Sequence, residues 1–299
     1  MSLGEIFVSE FIGTTLLIIL GVGVVANNLL TKNKGRGTGW LMINFGWGLA
    51  VFIGVYAAYK TGGHLNPAVT LGVLASGAEE YVPGVAVNFS NTMIYIVAQF
   101  LGAFVGAVIA WLAYKQHYDE HDNQAEVLGT FATGPEIRNP LWNTITEAIA
   151  TFVLVAWVLF NGGSPTAVGP LAVALVIVAI GASLGGPTGY AINPARDLGP
   201  RVAHAVLPIK GKGGNDWGYS WVPIVGPTIG GVLAGLIFGA NALNVLGMSG
   251  PTPPGSRALG APVGRRRPSG RRNISQPDSR RWPFVKTVIS APFHRYYFK

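Results

Sequence analysis

The sequence contains no cysteine and few charged side chains. Without cysteine the chain can form no disulfide, and it offers no thiolate to a metal ion or to catalysis. Charged residues make up 11% of the 299 residues and apolar residues 49%, whereas a soluble domain is usually about one quarter charged. This composition excludes an ordinary soluble domain and indicates a membrane protein.

Six nearly continuous apolar runs are long enough to cross a bilayer. They cover residues 6–30, 40–59, 92–114, 141–160, 167–184 and 221–243. The first run lacks a basic segment before it and carries Glu10, so we interpret it as a retained span and not as a cleaved secretion signal. We therefore predict an all-α membrane protein with six transmembrane helices.

The net charge of +8 comes from the C-terminal region. Residues 244–299 hold 11 of the 21 basic residues and one acid, while residues 1–243 hold 10 basic and 12 acidic residues. The region is also rich in Pro, Gly and Ser, so we predict a disordered tail after a channel domain at 1–243. We favour a solvated extension over the alternative, an arm that binds anionic lipid or nucleic acid. We expect no nucleic-acid partner.

The distribution of basic residues gives two readings of the orientation. An even number of spans places both termini on one side, and the Arg-rich tail assigns that side to the cytoplasm. Most basic residues of the other loops would then lie outside, which taken alone favours the reverse orientation: Lys32, Lys34, Arg36, Lys115, Arg138, Lys210 and Lys212. We predict cytoplasmic termini.

The tripeptide Asn-Pro-Ala occurs twice, at Asn66-Pro67-Ala68 and at Asn193-Pro194-Ala195. Asn is a preferred N-cap and Pro suits the first helical position, so each triplet predicts a helix that begins at its Pro. Ser76-Gly77 and Pro208 follow soon afterwards and limit these helices to short lengths. Eleven residues reach roughly 16 Å, about half of a hydrocarbon core of about 30 Å. We predict two re-entrant half-helices.

The two triplets belong to a repeat at about residues 4–115 and 141–243. Glu10 corresponds to Glu147, and Gly102 corresponds to Gly230. Each unit contains three spans and one half-helix that enters and leaves on the same side, so the second unit must be inverted. The half-helices then meet near the midplane with Asn66 and Asn193 facing each other, and the Gly-rich segments before them present carbonyls to a pore.

Small residues at four-residue spacing in the third and sixth spans predict close helix packing. They are Gly102, Gly106, Gly231, Gly235 and Gly239.

The segments NPAVT, NPARD, WGLAV and GASLGGPTGY, with the two glutamates, resemble the major intrinsic protein family over about residues 4–243. The resemblance is to the aquaglyceroporin branch, which includes the bacterial glycerol facilitators. It implies a passive cell-membrane channel that conducts glycerol, other small uncharged solutes and some water, and that excludes protons and ions. It also implies a homotetramer without cofactor or metal.

The resemblance assigns a selectivity filter to Trp47, Gly181, Tyr190 and Arg196. Glycerol has one edge of C–H groups and one of hydroxyls, so its pore needs an apolar corner opposite donors and acceptors. Trp47 and Tyr190 would form the corner, Arg196 would donate, and Gly181 would leave room. Tyr190 stands where bacterial facilitators commonly have Phe, and it would add a hydroxyl to the corner.

The resemblance gives the remaining residues supporting roles. Asn66 and Asn193 form the central constriction. Carbonyls that line the pore are those of His64, Leu65, Gly189, Ala191 and Ile192. Residues that hold the re-entrant segments are Glu10, Glu147, Asp197, Pro67, Ala68, Pro194 and Ala195.

Other functions remain open at this stage. Inverted repeats and buried Glu10 and Glu147 also fit a proton-coupled secondary transporter, and a strictly water-selective pore has the same fold. His64 could gate by protonation, although a structural hydrogen bond is favoured. His117 and His121 have the helical spacing of metal ligands, although a solvated charged face is favoured. The sequence offers no nucleophile with a base and no phosphate loop, which disfavours an enzyme.

Overall fold

The computed structural model describes residues 1–161 and 169–239. These residues belong to one unit of the chain, Met1–Thr252. The predicted tail at 244–299 lies outside the described residues, as do the end of the sixth predicted span and part of the connection before the fifth.

Helices account for most of the described chain. In chain order they are α1 (Leu3–Leu29), α2 (Trp40–Ala57), a 3-10 turn (Tyr59–Thr61), α3 (Pro67–Ala75), α4 (Phe89–Ala113), α5 (Lys115–Asp119), α6 (Gln124–Phe131), α7 (Pro140–Asn161), α8 (Pro170–Leu184), α9 (Pro194–Val206) and α10 (Val222–Phe238). A short hairpin of β1 (Glu80–Val82) and β2 (Val85–Ala86) lies between α3 and α4.

The six predicted spans correspond to α1, α2, α4, α7, α8 and α10. The first four of these helices are long and apolar enough to cross a bilayer. α8 has 15 residues and α10 has 17, so they reach only roughly 22–26 Å and are shorter than predicted. α8 begins at Pro170, which occupies its first turn, three residues later than the apolar run suggested.

The predicted half-helices are present and begin where the sequence indicated. α3 starts at Pro67 and has 9 residues, and α9 starts at Pro194 and has 13. Asn66 and Asn193 are the N-caps, and each has extended backbone and a side-chain oxygen that accepts from the first turn.

The two halves of the chain repeat one arrangement of helices. α1 packs on α4 in the first half, α7 packs on α10 in the second, and α2 contacts α8 across the halves. Each half-helix packs against the last span of the other half, α3 on α10 and α9 on α4. The walls around each half-helix therefore come from both repeats.

Glycines allow these helices to approach closely. A Cβ atom at Gly231 would lie 2.4 Å from the carbonyl oxygen of Ala68 on α3, and one at Gly106 would lie 2.6 Å from that of Thr15 on α1. The same holds for Gly102, Gly235 and Gly239, which confirms that the predicted small residues pack helices together.

His117 and His121, whose spacing left metal binding as the alternative to a favoured solvated charged face, do not lie on one helix, and His121 is buried rather than solvated. α5 ends at Asp119, so His121 falls beyond it and the helical spacing of His117 and His121 is not realised. Both imidazoles contact Thr31 instead, at 3.1 Å from its carbonyl oxygen to His117 Nδ1 and 3.1 Å from its N–H nitrogen to His121 Nδ1. They fasten the end of α1 to the α5 region.

Candidate functional site

The two half-helices meet through reciprocal hydrogen bonds. The Asn66 side-chain amide donates to the carbonyl oxygen of Ile192 at 2.8 Å, and that of Asn193 donates to the carbonyl oxygen of Leu65 at 2.8 Å. Each Asn Oδ1 also accepts from its own helix, from Ala68 N–H at 2.9 Å and from Ala195 N–H at 3.0 Å. Each amide thus keeps one N–H that these bonds do not use.

Leu65 and Ile192 adopt the left-handed backbone region, with φ of 53° and 43°. This conformation is unfavourable for residues other than glycine, and most of all for a β-branched residue such as Ile192. It turns each peptide so that the N–H points to a buried glutamate while the carbonyl points to the opposite Asn. Both carbonyls already accept one hydrogen bond, and each has a second lone pair for a solute.

The glutamates hold these turns in place. Glu10 accepts from the N–H groups of His64 at 3.1 Å and Leu65 at 2.8 Å, and it also binds Thr61 Oγ1 and Gln99 Nε2, both at 2.9 Å. Glu10 and its counterpart Glu147 are both buried, with 0% and 1% of the residue exposed, respectively.

Glu147 repeats the arrangement. It accepts from the N–H groups of Ala191 at 2.9 Å and Ile192 at 2.8 Å, and from Thr188 Oγ1 at 2.6 Å. The carboxylates thereby satisfy backbone donors that would otherwise be buried without partners.

A cavity of about 210 Å³ runs alongside this meeting point. Its polar lining includes both asparagines and Arg196, while much of the remaining wall is apolar: Leu17, Val51, Val55, Val69, Leu154, Val158, Val173 and Ile177. Among the predicted site residues it also touches Trp47, His64, Leu65, Tyr190, Ala191 and Ile192. Gly181 and Gly189 do not line it.

Arg196 lies against Trp47 at one part of this cavity. The guanidinium carbon is 4.0 Å from the centre of the indole ring, a cation–π distance. The hydrogen bond that Arg196 makes with described residues comes from its backbone N–H, to Asn193 Oδ1 at 3.1 Å. Its guanidinium donors are therefore not taken up by the described chain.

Tyr190 lines the cavity, but its hydroxyl is buried away from it. The hydroxyl oxygen is buried among α2 and α8, and a Cβ atom at Gly181 would lie 2.9 Å from it and 2.7 Å from the ring carbon Cζ. The space that Gly181 leaves open is therefore filled by Tyr190 and by Asn44, whose Oδ1 would be 2.4 Å from that Cβ. The expectation that this hydroxyl joins the apolar corner, with Gly181 opening onto solute, is corrected accordingly.

Asp197 holds backbone, in line with its expected role. Its Oδ2 accepts from the N–H and the hydroxyl of Thr133, each at 2.7 Å, and its Oδ1 accepts from Arg201 Nε at 2.9 Å. Arg201 donates further to the carbonyl oxygen of Thr133 at 2.9 Å. Asp197 and Arg201 are both 0% exposed, so a buried ion pair fixes the α6–α7 connection to α9.

His64 is tied to the first half-helix. Its Nδ1 lies 3.0 Å from Thr70 Oγ1, and its ring packs edge-on to Tyr81 with centroids 5.2 Å apart. These contacts favour the structural hydrogen bond over a gating role.

Sequence reasoning missed several residues of this site. Arg201 carried a signal, because it stands four positions after Asp197 on a helix. Asn44 carried one as well, because Trp40, Asn44 and Trp47 share one helical face. Thr133, Thr188 and Gln99 have no local pattern that marks them.

Comparisons with known proteins agree with this geometry. A family model described as Major intrinsic protein matches residues 2–238. The chain is 50% identical over 239 residues to a probable glycerol uptake facilitator protein of Thermotoga maritima, a match that covers 78% of this chain and 98% of that protein. It is 46% identical over 239 residues to a glycerol uptake facilitator protein of Streptococcus pneumoniae, with 79% and 98% covered.

A solved structure has the same fold. The aquaglyceroporin from Plasmodium falciparum superposes with a TM-score of 0.66 at 28% identity, covering 83% of this chain and 100% of that one. The all-α architecture with paired half-helices is thus that of a known channel fold. With a family model matching nearly all the described residues and relatives close to half identical, the chain belongs to the major intrinsic protein family of integral membrane channels.

Proposed function

We propose that the chain is a passive channel for glycerol and other small uncharged solutes, with some permeability to water. The observation that carries this proposal is a cavity whose lining combines many apolar side chains with Arg196, Asn66 and Asn193. The names of the similar proteins support the choice of glycerol. The family to which the chain belongs is one of channels and not of enzymes.

The filter lies where Trp47, Tyr190 and Arg196 converge on the cavity. The two aromatic rings contact the C–H edge of the solute, while the guanidinium N–H groups, which the described chain does not use, donate to its hydroxyls. Gly181 acts indirectly, since it makes room for Tyr190. Carbonyls of the re-entrant segments accept from the hydroxyls.

The waist lies at Asn66 and Asn193. Each amide donates its remaining N–H to the passing oxygen, and the N-termini of α3 and α9 add positive dipole ends at the same place. An oxygen held by both donors cannot continue a chain of proton transfers, and a cation is repelled here and at Arg196. The channel therefore excludes protons and ions.

Stopped-flow light scattering on proteoliposomes tests the proposal with water, glycerol, urea and undissociated lactic acid. We expect glycerol permeability well above that of protein-free vesicles, nearly proportional to the gradient and independent of a pH gradient. Flux that saturates and disappears with the pH gradient would instead identify a proton-coupled carrier. Flux of water alone would identify a water-selective pore.

We propose that both termini are cytoplasmic. The terminal amino group donates to the carbonyl oxygen of Gly84 at 3.1 Å, which places the N-terminus beside the α3–α4 connection. Because the chain has no cysteine, single-cysteine variants have no labelling background. An impermeant maleimide applied to whole cells should label Asp122→Cys and not Glu79→Cys, and the opposite pattern would reverse the orientation.

We also propose that the channel domain is 1–243, made of repeats at about 4–115 and 141–243, and that 244–299 is a basic extension. A chain that ends at residue 243 should then conduct glycerol as the full chain does. The assembly we propose is a homotetramer in the bilayer, which native mass spectrometry from detergent can test.

A further inference from the structure

Two buried polar atoms meet behind the filter without a partner among the described residues. They are the Tyr190 hydroxyl oxygen and Asn44 Oδ1. The residues are 3% and 1% exposed, respectively. A buried polar atom that lacks a hydrogen bond is strongly disfavoured, so each of these atoms requires a partner.

The position of Gly181 shows that the two atoms are close to each other. A Cβ atom placed on Gly181 would lie 2.9 Å from the Tyr190 hydroxyl and 2.4 Å from Asn44 Oδ1, which limits their separation to about 5.3 Å. One water with two O–H···O bonds of about 2.8 Å spans up to about 5.6 Å. The two atoms are not hydrogen-bonded to each other in the structure, but at this separation a small rotation of either side chain would form a direct hydrogen bond or admit one bridging water.

The elements around the pair are fixed. Trp40 donates its Nε1–H to the Gly181 carbonyl oxygen at 3.1 Å and packs edge-on against the Tyr190 ring, with centroids 5.7 Å apart. Asn44 lies one turn further along the same face of α2, and Trp47 lies on the next turn. A bond from Asn44 thus ties Tyr190 to the helix that carries the other aromatic wall.

We propose that Asn44 is a positioning residue that binds the Tyr190 hydroxyl, directly or through one buried water, and sets the angle of the Tyr190 ring in the filter. Either end of the Asn44 amide can serve, because a tyrosine hydroxyl both donates and accepts. Asn44 touches no solute. Its effect on selectivity rests on the proposed function, whereas the hydrogen bond itself does not.

A double-mutant cycle with Asn44→Leu and Tyr190→Phe tests the proposal in the full-length protein. In the native background, Asn44→Leu should change the ratio of glycerol to water permeability by at least about threefold, because the ring loses its anchor. In the Tyr190→Phe background the same substitution should change the ratio by less than about 1.5-fold. Equal changes in both backgrounds, or none in either, would overturn the proposal.

Thermal unfolding in detergent supplies a second readout that needs no transport. We expect the two substitutions to be non-additive, because removing both partners leaves no unpaired polar atom. Additive shifts would show that no hydrogen bond exists. Coupled shifts with an unchanged permeability ratio would show a bond that does not position the filter. A wild-type channel that passes no glycerol would refute the proposed function and leave this unfolding test intact.

The chain offers a matched control in Tyr81, whose hydroxyl lies 2.6 Å from Thr92 Oγ1 in a buried pair that does not line the cavity. The cycle of Tyr81→Phe and Thr92→Val should show coupling in thermal unfolding but leave the glycerol-to-water ratio unchanged. If the control cycle changed that ratio as much as Asn44→Leu does, the loss of any buried tyrosine hydrogen bond would alter permeation. That result would contradict a specific positioning role for Asn44.

Discussion

The guanidinium carbon of Arg196 lies 4.0 Å from the centre of the Trp47 ring. This contact compensates a charge that is buried to 8% residue exposure and has no side-chain hydrogen bond to the described chain. Trp47 thus holds a cation beside the cavity while leaving its donors free. The pore gains a positive centre and a set of hydrogen-bond donors from one side chain.

Replacing Arg196 with Val should admit cations. The substitution removes a fixed positive charge from a site of low dielectric, so we expect proton leak through proteoliposomes to rise at least about tenfold, or about 1.4 kcal/mol in the barrier. A pH-sensitive dye inside the vesicles measures it. Arg36→Val removes the same charge from an exposed loop and should leave the leak at the wild-type level; equal leaks would contradict the filter role.

Replacing Asn193 with Asp should weaken ion exclusion at the waist. The carboxylate cannot donate to the Leu65 carbonyl, and it places a negative charge where two helix N-termini now repel cations. We expect cation leak to rise while glycerol flux falls, both measured in vesicles. Asn88→Asp makes the same change at the N-cap of α4, away from the cavity. The same leak and the same loss of glycerol flux in that variant would contradict the assignment of Asn193 to the central constriction.

A methyl group at Gly181 should restrict glycerol more than water. Gly181→Ala places a Cβ 2.4 Å from Asn44 Oδ1 and 2.7 Å from Tyr190 Cζ, so both side chains must shift and the Tyr190 part of the cavity wall is disturbed; we expect glycerol permeability to fall by at least about fivefold. Gly181→His should have a larger effect in the same direction. Gly186→Ala is the control, because nothing lies within 4 Å of its added Cβ. Equal losses of water and glycerol flux would argue against the filter assignment.

Removing the negative charge of Asp197 should destabilise the protein. Asp197→Asn leaves the fully buried Arg201 without its counter-ion, which typically costs about 3–5 kcal/mol. Asp216→Asn breaks the exposed pair with Arg138 and should cost less than about 1 kcal/mol. Thermal unfolding in detergent compares them, and similar shifts for the two variants would contradict the buried network.

Glu147→Gln should disturb the second re-entrant segment. One carboxylate oxygen becomes an NH₂ group that faces backbone donors of Ala191 or Ile192, so the left-handed turn at Ile192 loses its support. We expect lower thermal stability and lower glycerol flux together. Glu136→Gln, on an exposed loop, should change neither; a stable variant with wild-type flux would show that the carboxylate is dispensable.

The sequence predicted the fold to the extent that local rules determine it. The Pro67 and Pro194 starts follow from capping chemistry, and the six runs follow from hydropathy. The lengths of α8 and α10 did not follow, because apolar composition continues past the residues where the helices begin or end. Hydropathy shows which residues can lie in the membrane, but the residues at the helix ends, Gly169 before α8 and Gly239 after α10, determine where each helix begins or ends.

The sequence could predict that Asn66, Asn193 and Arg196 lie at one cavity, because an Asn-Pro-Ala helix start and an Arg in an apolar region are strong local signals. The site was not predictable where distant partners share a space. Gly181 reads as an opening in the sequence, yet Tyr190 and Asn44 fill it. The link of Asp197 to Thr133 spans 64 positions, and no local pattern encodes such a contact.

The packing of each half-helix on the last span of the opposite repeat also constrains biosynthesis. While the ribosome has made only the first repeat, α3 has no α10 beside it, and Gly231 has not yet met the Ala68 carbonyl. The first re-entrant segment must therefore wait, partly unsupported, until translation is nearly finished. The pore is therefore complete only after α10 has been inserted. A chain that terminates before α10 would expose backbone groups of the first re-entrant segment to lipid.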